Sequence, residues 1–138
     1  MPKVKKIYGV GVDIVQVDRI HRKLENQGDN FAKKILTSGE YALYKDVDDK
    51  ATYVSKCWAT KEAFVKALGT GFADEFMWGD VGYFSPKTTL TKTKRPIVQL
   101  SDRARWSDTM RGKTVHLSVS DEIDNVIAYV IIEEEYNV

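Results

Sequence analysis

The chain is 138 residues long, 43% hydrophobic and 30% charged, with a net charge of +1. That length supports one domain with a real core, and the balance of residues excludes a disordered tail, a collagen-like rod and a protein whose main partner is a nucleic-acid backbone, which needs excess positive charge to displace counterions. The single cysteine, Cys57, excludes an internal disulfide and a cysteine-based zinc site.

The opening MPKVKKIYGVGVDIV is basic and then apolar, but glycines and Asp13 interrupt it before a signal core is complete. No run reaches the roughly twenty apolar residues of a membrane span. A soluble protein is expected, cytoplasmic or organellar after removal of a transit peptide, with neither membrane nor nucleic acid as partner.

Residues 7–15 alternate as a strand, with Tyr8, Val10, Val12 and Ile14 on one face and Ile7, Gly9, Gly11, Asp13 and Val15 on the other. Two same-face glycines ahead of Asp13 leave space for a ligand or for another backbone, and the pattern favours neither. GVGVDI is not a dinucleotide fingerprint, because Ile14 occupies the third glycine position. Asp18 is expected to cap a helix through Arg19, Ile20 and Leu24 that stops near Gly28. Its other face carries Arg19, Arg22 and Lys23, ordinarily a solvated surface and alternatively a dock for an acidic partner.

A short helix follows with Phe31, Ala32, Ile35 and Leu36, and a third starts near Thr37 or Ser38 with Glu40 in its first turn and Tyr41 and Tyr44 as apolar contacts. The long helix runs from about Asp48 or Asp49 to Leu68 and stops at Gly69. Trp58, Ala59, Ala63, Phe64, Ala67 and Leu68 form its buried side, and Cys57 lies beside them as inert core. The stripe of Ala59, Ala63 and Ala67 permits close packing. Strands are expected at 81–84, 97–100, 115–119 and 126–132, with a short helix from Ser101 to Met110, a basic loop or hairpin tip at 87–95, and a polar turn from Asp121 to Asn125 closing a terminal hairpin. A helical block followed by antiparallel strands predicts a single α+β domain, an antiparallel sheet with one long helix packed on it.

Glu62 and Lys66 stand four residues apart in WATKEAFVKALGTG. By spacing alone they form a surface ion pair of roughly 0.3–0.5 kcal/mol, or a carboxylate and an ammonium that hold a hard cation and a phosphate. Asp13 is the second carboxylate with suggestive surroundings. Magnesium takes one or two protein carboxylates and completes its shell with water and phosphate, so Asp13, Glu62 and Lys66 make a complete set if strand and helix meet. A Ser-His-Asp triad is not expected, since His116, Ser118 and Ser120 share a strand face from which Asp121 points away. His21 and His116 lack ligand spacing for a metal.

GVGVDIVQVDRI, FAKKILTSGE, WATKEAFVKALGTG and VHLSVS followed by VIAYVIIEE, in this order over essentially the whole chain, resemble the holo-acyl-carrier-protein synthases, the short type of 4'-phosphopantetheinyl transferase. The resemblance implies transfer of 4'-phosphopantetheine from coenzyme A to a serine of an apo acyl carrier protein, with release of adenosine 3',5'-bisphosphate, by a compact homotrimer holding coenzyme A at subunit clefts. It implies Asp13 of G-x-D and Glu62 of K-E-A as magnesium ligands, Lys66 as a coenzyme A phosphate contact, and these three as the catalytic set. Gly71 and Pro96, the latter in a segment similar to the family's G-K-P, are implied in coenzyme A binding, and Arg19 and Arg22 in docking the acidic carrier. On this reading the glycine face ahead of Asp13 gives the pyrophosphate room, and the serine proton goes to Glu62 or to a metal-bound water. Asp121 stands where many members have histidine and Cys57 where arginine is frequent. Those departures keep open a non-catalytic module that binds coenzyme A or the carrier.

Overall fold

The computed structural model describes residues 2–71, 76–86 and 95–138. Strand β1 (Lys3–Gln16) leads into four helices, α1 (Val17–Gln27), α2 (Asp29–Ile35), α3 (Ser38–Tyr44) and α4 (Lys50–Leu68). Strands β2 (Val81–Phe84) and β3 (Ile97–Leu100), helix α5 (Asp102–Arg105), and strands β4 (Lys113–Asp121) and β5 (Asn125–Asn137) complete an α+β fold. One antiparallel sheet runs β1-β5-β4, and β2 pairs with β3 in a separate two-stranded ribbon. Of the basic segment expected as a loop, 87–94 lies outside the described residues.

β1 is longer than its apolar alternation suggests, because β5 pairs with it from Lys3 to Gln16 and carries the lysine-rich start into the sheet. A bulge between Ile7 and Gly9 resets the alternation. Ile7 is consequently exposed and does not share the inner face of Gly9, Gly11, Asp13 and Val15, as strict period two predicts.

That inner face lies against α4. A Cβ at Gly9 would overlap the carbonyl oxygen of Ala67, and one at Gly11 the carbonyl oxygen of Ala63. The glycines therefore admit a helix backbone, with Ala59, Ala63 and Ala67 supplying the complementary small stripe. The expected clearance for a pyrophosphate is not there.

α4 is buried on more sides than its alanine and aromatic pattern indicates. Val54, Ser55, Thr60, Lys61 and Val65 are covered as well, and Lys66 is its one exposed residue. The sheet covers one side of the helix, while α1, α3 and β2 pack on others. Its ends follow the sequence: Asp49 accepts from the Thr52 amide at 3.1 Å, and Gly69 takes the left-handed conformation at φ 87°. Thr37 and Glu40 form a reciprocal capping box on α3. α1 differs from expectation. β1 runs straight into it, so Gln16 sits at the cap without a side-chain bond, and Asp18 instead pairs with Arg22 at 2.8 Å.

The core under the sheet is made by Val126, Ala128, Val130 and Ile132 of β5 with the small face of α4. On the other side of the sheet Val10, Val12, Ile14, Ile127 and Tyr129 are exposed. Among the described residues no helix is long and apolar enough to cross a membrane.

Candidate active site

Close packing of α4 on β1 decides what meets at the end of the strand. The Cβ of Lys66 lies 3.0 Å from where a Gly11 Cβ would stand, so the lysine side chain starts directly over the strand. Its Nζ donates to Asp13 Oδ1 at 2.9 Å and to the Val12 carbonyl at 3.1 Å. Lys66 thus reaches across to the strand, and the ion pair with Glu62 along the helix is not formed.

Asp13 is the inward residue that follows the two glycines, and its side chain is only 14% exposed. One carboxylate oxygen is taken by Lys66, while Oδ2 is buried without a hydrogen-bond partner. Such an orphaned oxygen is costly unless something positive or protic faces it. Glu62 stands beside it. Burial first, and then the negative charge of Asp13, hold the Glu62 carboxyl above its usual range, with Lys66 acting in the opposite direction. Two neighbouring carboxylates, one with a free buried oxygen and the other resisting ionisation, form a donor set suited to a hard divalent cation. The all-oxygen set and the count of two carboxylates fit magnesium. No group of three or more His, Cys, Asp or Glu that could hold a metal occurs among the described residues.

The other sequence candidates occupy separate places. Arg19 and Arg22 are exposed on α1, where Arg22 is tied to Asp18. Gly71 has φ 71° just beyond the stop of α4, and Pro96 immediately precedes β3. Neither joins the Asp13, Glu62 and Lys66 cluster through a hydrogen bond. Cys57 is fully buried and its thiol is pushed well up, chiefly by burial, so it is inert core and cannot reach a phosphate. Asp121 is compensated by Lys56 at 3.6 Å. His116 contacts Glu133 at 2.5 Å and engages neither Ser118 nor Ser120.

A cleft of about 540 Å³ opens along the first half of α4, walled by Leu43, Val47, Tyr53, Tyr83 and Phe84 with Asp49, Thr52, Lys56 and Ser85. Asp13 and Glu62 do not line it; Glu62 sits farther along the same helix, and Asp13 on β1.

Sequence reasoning missed Lys61, which is fully buried against Glu40. Its signal was helical phase. Five residues before Lys66, it falls on nearly the opposite side of α4, away from the open face.

The model of the 4'-phosphopantetheinyl transferase superfamily matches residues 9–130. The holo-[acyl-carrier-protein] synthase of Ruthia magnifica subsp. Calyptogena magnifica is 37% identical over 130 residues, covering 94% of this chain and 98% of that protein. The crystal structure of holo-[acyl-carrier-protein] synthase from Neisseria meningitidis superposes with a TM-score of 0.81 at 33% identity, over 92% of this chain and 98% of that one. The holo-(acyl-carrier-protein) synthase of Bacillus anthracis, in complex with CoA (3',5'-ADP), gives 0.74 at 30% identity, over 93% and 97%. With two inner-face glycines leading to Asp13 and with Glu62 and Lys66 beside it on α4, the chain belongs to the 4'-phosphopantetheinyl transferase superfamily.

Proposed function

We propose that the protein is a holo-acyl-carrier-protein synthase: it transfers 4'-phosphopantetheine from coenzyme A to a serine of an apo acyl carrier protein and releases adenosine 3',5'-bisphosphate, with magnesium as cofactor. The observation that carries this reading is the meeting of Asp13, Glu62 and Lys66 with one carboxylate oxygen buried and unpartnered. Asp13 and Glu62 would hold the ion. Bound there, magnesium supplies positive charge to pyrophosphate oxygens on which negative charge grows as the serine hydroxyl attacks.

Lys66 answers the same charge from the protein side. It is half exposed and already orders its ammonium at Asp13, so a phosphate oxygen arriving beside the strand meets a positioned donor. The aromatic walls of Tyr53, Tyr83 and Phe84 suit a planar nucleobase, and Gly71 and Pro96 are the further coenzyme A-binding positions. Exposed Arg19 and Arg22 support docking of an acidic carrier, since such charges steer association and fix register. The exposed apolar face of Val10, Val12, Ile14, Ile127 and Tyr129 supports a homotrimer, because a contiguous patch of that kind on a sheet needs covering. A cytoplasmic location and a single domain over residues 1–138 accord with this reading.

The test is the intact mass of the carrier after incubation with the protein, coenzyme A and Mg²⁺. One added phosphopantetheine per carrier is expected. Unchanged mass on every acyl carrier tried would overturn the proposal, and coenzyme A binding without transfer would mark a non-catalytic module.

A further inference from the structure

Among the described residues no strand covers the outer edge of β2 in the ribbon of β2 and β3. Val81 and Tyr83 point their backbone groups away from β3. That edge is taken by two side chains: Lys61 Nζ donates to the Val81 carbonyl, and the Tyr83 amide donates to Glu40 Oε2 at 2.7 Å. The two side chains also bond each other, with Lys61 Nζ donating to Glu40 Oε1 at 2.5 Å, and Glu40 Oε1 accepts the Thr37 amide at 2.9 Å. Lys61 is 0% exposed and Glu40 3%. Three elements, α3, α4 and β2, therefore converge on one buried ion pair.

A buried pair of this kind adds little net stability compared with well-packed apolar residues of similar volume. What it adds is direction. Apolar contact would let a short ribbon slide or tilt along α4, whereas a carbonyl and an amide bonded to opposite charges hold it at one register. Both sides of the pair carry parts of the site. Lys61 immediately precedes Glu62. Tyr83 and Phe84 wall the 540 Å³ cleft, and Tyr53, whose hydroxyl donates to the Glu40 carbonyl at 3.3 Å, packs edge-on to Tyr83 with ring centroids 6.4 Å apart.

We propose that Glu40 and Lys61 are positioning residues that set the aromatic wall and the β2 ribbon relative to Glu62 and Lys66, and so fix how tightly coenzyme A is held. This rests on the transferase reading for what is bound. Neither residue touches the reacting atoms.

The test is the neutral double variant Glu40→Gln with Lys61→Met, which keeps side-chain volume and removes both charges. Its thermal midpoint is expected to fall, because the Val81 carbonyl loses its donor and the one amide oxygen at position 40 cannot accept from both Thr37 and Tyr83, while a cooperative unfolding transition shows that it is folded. The Kd for coenzyme A by calorimetry without metal or carrier, and the KM for coenzyme A, are each expected to rise about tenfold, with kcat within about threefold and the KM for the carrier unchanged. A folded double variant with wild-type Kd and KM would overturn the proposal. If the double variant does not fold, Glu40→Gln alone serves: it removes the charge opposite Lys61, and its single amide oxygen can accept from Thr37 or from Tyr83 but not from both. A Kd raised about threefold supports the pair, and an unchanged Kd overturns it. Wild-type protein that binds coenzyme A but transfers nothing would fail the transferase reading while leaving this comparison of affinities decisive.

Discussion

Asp13 gives one carboxylate oxygen to Lys66 and keeps the other buried and bare, while Glu62 beside it is held above its usual range by burial and by Asp13. The folded protein therefore binds the Glu62 proton more tightly than the unfolded chain does. Ionised Glu62 subtracts stability above its folded pKa, and that penalty disappears as pH falls below the unfolded value, about pH 4. In metal-free buffer, Glu62→Gln is expected to melt above the wild type at neutral pH, with the gap closing as the solution is acidified. Adding Mg²⁺ is expected to raise the wild-type midpoint and leave that of the variant in place. Thermal unfolding across pH, with and without Mg²⁺, checks both; identical curves for the two proteins would remove the carboxylate pair from the account.

The close approach of α4 to β1 makes the cluster possible. Gly11→Ala would drive a methyl into the Ala63 carbonyl, with backbone on both sides and no flexible side chain to yield. The loss is expected toward the upper end of the roughly 1–3 kcal/mol that overpacking costs, read as a lower urea midpoint at unchanged slope. A midpoint equal to that of the wild type would mean that strand and helix stand farther apart.

Elements with local chemistry were legible in the sequence. Asp49 and Gly69 bound α4, the Thr37 and Glu40 box starts α3, and the turn near Asp121 makes the β4-β5 hairpin. The glycines of β1 were ambiguous, because a period-two pattern records a missing side chain and not what fills the space. The capping expectation for Asp18 failed because β1 and α1 share no loop. Asp13, Glu62 and Lys66 were grouped from motifs, and the fold brings the three side chains together. Their wiring was not legible, since helix spacing points Lys66 toward Glu62 and only the packed strand turns it to Asp13. Lys61 escaped notice because a lysine reads as solvent-facing until its phase on the helix is compared with that of Lys66.

Across the whole molecule, the first and last strands are neighbours, so the chain ends are joined in one sheet and Asp13 is opposite Ala128 of β5. The outer side of those two strands is apolar, with Ile14 62% exposed. If that face is the contact between copies, light scattering behind size exclusion will find a trimer for the wild type and a monomer for Val12→Lys, which puts a charge into the patch. A wild-type monomer at micromolar concentration would contradict the assembly. Asp13 and Glu62 together are expected to form the metal-dependent centre of transfer. The most direct measurement is the rate of carrier modification, by intact mass, for the wild type, Asp13→Asn and Glu62→Gln as Mg²⁺ is titrated. Transfer by the wild type is expected only when Mg²⁺ is present, with a fall of about 100-fold or more in each folded variant. Wild-type rates in both variants, or full transfer by the wild type in excess chelator, would contradict it.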